Sequence, residues 1–417
     1  MALRRVVVTG LGALTPLGNS VEEYWNNCLK GKSGAGPITL FDVTKFKTRF
    51  ACEVKGLEVL DFIDRKEARK MDRFTHHAII SSDQAIADSG LNVEGVDRTR
   101  IGVIWGSGEG GLKAFEDEIV EYAQNDLTPR FNPFFIPKQI LDIAPGWISM
   151  RNGFMGPNYA TVSACASSTN ALIDAVSYIR LGYADAIVSG GSEACVSATG
   201  LGGFNAMRAL STRNDDPTTA SRPYDKDRDG FVLAEGGVCL ILEDLEHAIK
   251  RGAKIYAEAC GVGMSADAHH LTAPHPEGEG AKLVMNNALR DAQMQPADLD
   301  YINTHGTSTP LGDIAELKAL KSVFGEHVYD MNISSTKSMT GHMLGAAGAV
   351  EAMTCVLAVQ NDVVPPTINH FTDDPDIDPK LNLTFNSAEK RTVRAALTNT
   401  FGFGGHNACA IFKKYEG

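Results

Sequence analysis

Two stretches of this chain repeat one pattern: small and β-branched residues, a polar turn, then a helix of small side chains. VSACASSTNALIDAVSYI begins at Val162 and ISSTKSMTGHMLGAAGAVEAMTCVLAV at Ile333. A repeat at this separation predicts two related halves, residues 1–253 and 254–417. Around both copies, buried strands alternate with helices. RVVVTGLG from Arg5, IGVIWG from Ile101, AIVSGG ending at Gly191 and VCLILE from Val238 read as strands of the first half. KIYAEACGVG from Lys254, DLDYIN from Asp298 and RAALTNT from Arg394 read as strands of the second. Such alternation predicts an α/β fold with mixed, mostly parallel sheets. Ser20 with Glu23 three residues on predicts a helix start, and Gly31 its stop. A long helix is expected from Asp64 to Gly90 and another from Gly280 to Met294, while FNPFFIP from Phe131 is expected to form a packed loop.

Several functional classes are set aside by composition. The formal charge of −12 argues against nucleic acid as a partner, because phosphate binding needs a basic surface. No apolar run approaches the roughly 20 residues that span a bilayer. The apolar run in MALRRVVVTG is too short for a signal peptide. Eight cysteines stand singly with no CxxC pair, which predicts reduced thiols and a cytoplasmic setting.

Chemistry-bearing residues fall at the turns. Cys165 lies where a strand gives way to a helix start, and helix N-terminal N–H groups favour a thiolate. Read alone, it is either a nucleophile or a buried small apolar residue. His305 in THGTSTP follows a strand, where α/β folds place ligand sites; a loop histidine held by hydroxyls is the alternative. His342 sits in STKSMTGHMLGAAG, whose glycines and alanines suit close helix approach. Lys337 and Glu351 flank that histidine, and either pair beside it or belong to an ordinary packing helix. NTFGFGGHN carries three glycines, either to aim an N–H group at an oxyanion or to form a tight aromatic turn. Two signals fail. VTGLGALTPLG lacks the third glycine of a dinucleotide loop. His269, His270 and His275 lack metal-ligand spacing, so no metal site is expected.

Cys165 in VSACASS, His305 in THGTSTP, Lys337 and His342 in STKSMTGHMLGAAG, and the FGFGG loop occur in an order that resembles the β-ketoacyl-acyl carrier protein synthases. Among them it is most similar to the elongating type II enzymes of bacterial fatty-acid synthesis, over essentially the whole chain. The resemblance implies the thiolase fold, two similar halves in five α-β-α-β-α layers, and a homodimer. It implies a Cys165, His305, His342 site rather than the second cysteine of thiolases or the Cys-His-Asn of initiating synthases. Cys165 would hold an acyl chain while malonyl-acyl carrier protein is decarboxylated and condensed with it. The Cys165 and Phe403 N–H groups would form the oxyanion hole. Lys337 would order the site with Glu351, and Asp267 would support it in a mobile loop. Thr272, Thr307 and Thr309 would touch the phosphopantetheine arm, which arrives on the carrier, so no cofactor is implied. A structural monovalent cation near Asn303, Glu351 and Asn399 is compatible with the resemblance. Glu109, Ala164, Gly200, Phe204 and the gating Phe403 would line the acyl pocket, with FNPFFIP reaching across the dimer.

Glu109 departs from the apolar residue often found there, which predicts an altered chain-length preference. Arg65, Lys66, Arg69, Lys70 and Arg73 form a basic strip in DRKEARKMDR, expected to dock the acidic carrier protein. Three rivals remain: a ketosynthase of a specialised polyketide or polyene pathway, a non-catalytic chain-length partner, which would lack Cys165, and a nucleotide-dependent oxidoreductase resting on the broken glycine motif.

Overall fold

The computed structural model describes residues 3–91 and 95–417. Ten strands form one sheet. They are β1 (Val6–Leu14), β2 (Ile101–Gly106), β3 (Asn158–Thr161), β4 (Ala186–Glu193), β5 (Gly236–Asp244), β6 (Ala257–Ala266), β7 (Tyr301–Asn303), β8 (Asn332–Ser334), β9 (Ala395–Gly402) and β10 (His406–Lys413). Their spatial order is β8-β7-β9-β10-β6-β1-β5-β4-β2-β3. Reading outward from the centre, the first five strands run β1-β5-β4-β2-β3 and the second five β6-β10-β9-β7-β8, the same order shifted by five. In each set four strands point one way and the last in sequence runs against them. The sets join through a short antiparallel contact of Val7 and Val8 with Glu258 and Ala257.

The helices that make the layers are α1 (Arg73–Ser89), α2 (Ser167–Arg180), α3 (Glu279–Ala292), α4 (Pro310–Phe324) and α5 (Ala347–Asn361). α2 and α5 touch strands of both sets and form the central layer. α1 covers the outer face of the first set. α3 covers that of the second, with α4 packed beside it. Each five-strand set makes one layer, and the result is helix, strand set, helix, strand set, helix.

The central position explains the composition of α5. A helix enclosed on all sides is apolar all round, and residues 344–361 are apolar and long enough to cross a membrane by length and composition alone. That stretch is 89% buried within the protein. Its glycines answer to crowding: a Cβ on Gly348 would lie 1.9 Å from Thr169 Oγ1 of α2.

Two local expectations are corrected. The helix expected from Asp64 to Gly90 is broken. Asp64 caps a single turn, Arg65–Ala68, and Asp72 then starts α1 by accepting the Phe74 N–H at 3.2 Å. Asp72 also accepts the Ala114 N–H at 2.9 Å, a distant contact that fixes the restart. The FNPFFIP segment runs into a short helix, Phe135–Gln139; Phe131 stacks on Tyr122 at 5.4 Å and on Phe135 at 5.8 Å, and Phe131, Phe134 and Ile136 keep exposed surface on the single chain.

Candidate active site

Cys165 stands between β3 and α2. Ala164, just before it, has φ of +51°, a left-handed conformation that costs an alanine roughly 1–2 kcal/mol. The turn is held by Ala166 N–H donating to Ser163 O at 3.0 Å and Ser167 N–H to Ala164 O at 3.2 Å. This bend buries the thiol at the head of α2, with the sulfur toward the second half of the molecule.

His342 arrives from that second half. Its Nε2 lies 3.0 Å from Cys165 Sγ. Its backbone is fixed to the first half, donating to Val232 O at 2.7 Å and accepting from Ala234 N–H at 3.0 Å. His305, at the end of β7, meets His342 edge to face with ring centroids 5.4 Å apart. Lys337 and Glu351 do form a buried ion pair. Lys337 Nζ also donates to the His305 carbonyl at 2.6 Å and lies 3.3 Å from His305 Nδ1. An ammonium can only donate, so Nδ1 is the acceptor and the ring proton sits on Nε2. Lys337 therefore sets the His305 tautomer.

The electrostatics keep this site neutral at rest. Burial, with Lys337 as the second cause, holds both imidazoles well below the ordinary histidine range. Burial pushes the Cys165 thiol up to about 12, while Lys337 and the Phe403 backbone N–H pull it down. The resting state is a thiol beside two neutral imidazoles, and thiolate character depends on those two donors and the helix terminus.

The glycine loop closes on the same sulfur. A Cβ on Gly402 would lie 2.6 Å from Ser163 O and 3.2 Å from Cys165 N, so only glycine permits this approach. Gly404 and Gly405 follow at φ of +87° and +75°. The loop is tied to residues 267–271. Gly404 N–H donates to Leu271 O at 2.7 Å and Asp267 N–H to Gly405 O at 2.9 Å. The Asp267 carboxylate accepts from Asn407 Nδ2 at 2.8 Å.

A cavity of about 530 Å³ gathers Cys165, His305, His342, Phe403, Asp267, Thr272, Thr307, Thr309, Ala164, Phe204 and Glu109 on its walls. Thr307 and Thr309 share a hydroxyl hydrogen bond of 3.0 Å. Gly200 is not on the wall; it packs against the Cys195 carbonyl, where a Cβ would lie 2.2 Å away. Glu109 is exposed on the single chain, so it is not the buried unpaired carboxylate that would be costly.

The basic strip is brought together only in part. Arg65, Lys66 and Arg69 are exposed and form no ion pair among the described residues. Lys70 lies over the Phe134 ring at 5.6 Å. Arg73 is committed elsewhere, to buried Glu235 at 2.5 and 2.6 Å.

Sequence reasoning missed two carboxylates. Glu316 on α4 accepts the His305 and Gly306 N–H groups, both at 2.9 Å, and so shapes the histidine turn. Glu193, at the end of β4, accepts from the turn after β2 and from the segment after His342. Neither carries a local motif. Only its burial at a strand end or on an inward helix face marks it.

Fold and site together define an acyl-transfer type of centre: a buried thiol, two neutral imidazoles and backbone N–H donors on the wall of one cavity of a thiolase fold. The chain belongs to the beta-ketoacyl synthases, whose N-terminal domain matches residues 3–248 and whose C-terminal domain matches residues 256–371. It is 49% identical over 414 residues to 3-oxoacyl-[acyl-carrier-protein] synthase 2 of Synechocystis sp., covering 99% of each chain. It is 47% identical to the enzyme of the same name from Staphylococcus aureus, again over 99% of each. Among solved structures it is similar to a type II PKS ketosynthase in complex with its acyl-carrier protein (TM-score 0.91, 33% identity, 99% and 100% of the chains). A beta-ketoacyl synthase from Burkholderia phymatum aligns with TM-score 0.90 at 33% identity over 99% and 100%.

Proposed function

We propose that the protein elongates acyl chains by decarboxylating Claisen condensation, joining an acyl group on Cys165 to malonyl-acyl carrier protein. The observation that carries this is His342 Nε2 at 3.0 Å from Cys165 Sγ, with His305 beside it, at the wall of one cavity. Cys165 sulfur attacks the acyl thioester; the new C–S bond forms as the pantetheine thiol leaves with the cysteine proton. Malonyl-carrier protein then enters. Its carboxylate departs as carbon dioxide, and the electron pair moves into the thioester, whose enolate oxygen receives the Nε2–H groups of His305 and His342. The enolate carbon attacks the acyl-cysteine carbonyl, whose oxygen faces the Cys165 and Phe403 N–H groups. Collapse frees the Cys165 sulfur and releases a 3-oxoacyl chain two carbons longer on the carrier.

Lys337 and Glu351 order the site, and Asp267 holds the Phe403 loop as its support. Thr272, Thr307 and Thr309 receive the pantetheine arm. Ala164, Phe204, Phe403 and Glu109 contact the acyl chain. Arg65, Lys66, Arg69 and Lys70 receive the acidic carrier. The repeated strand order supports a division into halves at residue 253. The exposed Phe131, Phe134 and Ile136 support a homodimer in which a second copy covers them. The enzyme works in the cytoplasm, and its own chemistry uses no organic cofactor. Among the described residues, Asn303 Oδ1, Asn399 Oδ1 and Glu351 Oε2 are buried without a hydrogen-bond partner, a neutral-and-anionic oxygen set that suits a structural monovalent cation.

Turnover of purified enzyme with malonyl-carrier protein and acyl-carriers of graded length tests the reading; products other than 3-oxoacyl chains two carbons longer would reject it. The carboxylate Glu109 on the cavity wall favours a second reading, a ketosynthase of a specialised polyketide or polyene pathway. The same assay separates them, since repeated extension without keto reduction belongs to the second. Glu109→Ile should shift the chain-length profile, and an identical profile would remove Glu109 from specificity.

A further inference from the structure

Glu193 ends β4 fully buried, and among the described residues it forms no ion pair. Its oxygens accept instead from four neutral donors. Oε2 takes the Gly108 N–H at 2.7 Å and the Gly345 N–H at 3.0 Å; Oε1 takes Ser107 Oγ at 3.1 Å and the Glu109 N–H at 3.2 Å. The donors come from two separate segments. Ser107 to Glu109 turn off the end of β2 and supply part of the cavity wall. Gly345 follows His342 by three residues.

The junction leaves no slack. A Cβ on Gly345 would lie 2.3 Å from Gly108 N and 2.7 Å from Glu193 Oε2, and one on Gly108 would lie 3.0 Å from the same oxygen. A buried carboxylate without a cation is costly unless donors converge on it. An ionised carboxylate is also the side chain that accepts on both oxygens and donates nothing, so glutamine could not satisfy all four donors. We infer that Glu193 is a positioning residue for condensation, a carboxylate clip that keeps the cavity wall at 107–109 in register with the His342 segment and so keeps His342 on the Cys165 sulfur.

The charge has a second consequence. Glu193 and Glu351 disfavour the Cys165 thiolate, opposing Lys337 and the Phe403 N–H. Around Glu193 itself lie Glu109 on the wall turn, the Cys195 thiol two residues on, and His77, whose Nδ1 is 3.2 Å from the Glu193 backbone carbonyl. Burial raises Glu193 to about 7 against the pull of the Gly108, Glu109 and Gly345 N–H groups, so above that pH removing the charge while keeping the size moves Cys165 toward the thiolate.

The inference rests on the assignment of Cys165 and His342 above. The test compares Glu193→Gln and Glu193→Asp in the full-length enzyme, by steady-state condensation and by the pH dependence of Cys165 alkylation with iodoacetamide. Both variants should lose at least about tenfold in kcat, with KM for malonyl-carrier protein within about twofold of wild type. Only Glu193→Gln should move the alkylation midpoint to lower pH. Any other pattern overturns the inference, including wild-type turnover in either variant or a loss that tracks folded fraction with an unmoved midpoint. If neither variant folds, Ser107→Ala removes one donor and decides alone: a lower kcat at unchanged acylation supports the clip, and wild-type kcat overturns it. Wild-type enzyme that still condenses after complete alkylation of Cys165 would defeat the underlying assignment and this inference with it.

Discussion

Gly402→Ala places a methyl carbon 2.6 Å from the Ser163 carbonyl oxygen, 3.2 Å from Cys165 N and 3.3 Å from Ala166 N. Ordinary contact begins at 3.4 Å, so about 0.8 Å must be found between two backbones that cannot rotate away. The displaced parts are the Phe403 loop and the Cys165 turn, the two sources of the proposed oxyanion-hole N–H groups. Overpacking of this size costs about 1–3 kcal/mol of stability. The catalytic cost is larger in proportion: a misplaced oxyanion donor, or a shift approaching 1 Å, lowers kcat on the order of a hundredfold. The assay is steady-state condensation, with thermal denaturation and the mass of the acyl-enzyme measured on the same preparation. The expected variant is folded and slow in condensation. A folded Gly402→Ala enzyme within about threefold of wild-type kcat would refute the reasoning, because the N–H geometry would then not depend on this contact.

Lys337→Ala should destabilise the protein by about 3–5 kcal/mol, since it leaves Glu351 buried without its partner; adding Glu351→Gln should restore much of that in a double-mutant cycle, and equal loss in single and double variants would count against the pair. His77 predicts a pH slope. Burial, with Arg73 second, lowers it to about 3, so below the ordinary histidine value the unfolded chain binds a proton that the folded one does not. Stability should therefore fall as pH drops from about 6.5 toward 3, by about 1.4 kcal/mol per pH unit for this group, with a shallower slope in His77→Gln denaturation curves. Reversing Arg65 and Arg69 to Glu should raise KM for carrier protein and flatten its salt dependence. Arg73→Ala should instead lower the melting temperature by orphaning Glu235, and an effect confined to carrier affinity would contradict that placement.

What could be read from sequence was what leaves a compositional trace. The close approach of α2 and α5 requires glycine at 348, and the approach of the Phe403 loop requires it at 402. Gly348 stands in the small-residue helix of the second repeat copy and Gly402 in the FGFGG loop, so both left their trace in composition. Carboxylates acting on backbone leave no such trace. Glu316 and Glu193 are single acidic residues whose partners lie elsewhere in the chain, so only the folded arrangement joins them to the site. Arg73 was misassigned for a related reason. The break before α1 depends on Asp72 capping it while accepting a distant N–H from Ala114, and Arg73, at the first position of α1, pairs with buried Glu235 while keeping 32% of its own side chain exposed. The aromatics and prolines of FNPFFIP read as a packed loop, whereas the fold runs the segment into the short helix Phe135–Gln139, and the exposure of Phe131, Phe134 and Ile136 on one chain is what the dimer proposal addresses.

The most direct measurement of the central claim is intact-protein mass spectrometry of the enzyme incubated with acyl-carrier protein, followed by malonyl-carrier protein. The wild type should gain one acyl group on Cys165 and lose it on malonyl addition, as a 3-oxoacyl product two carbons longer appears on the carrier. Cys165→Ala should gain no acyl group and form no product. Product from Cys165→Ala, or an acyl group located on any other residue, would contradict the account.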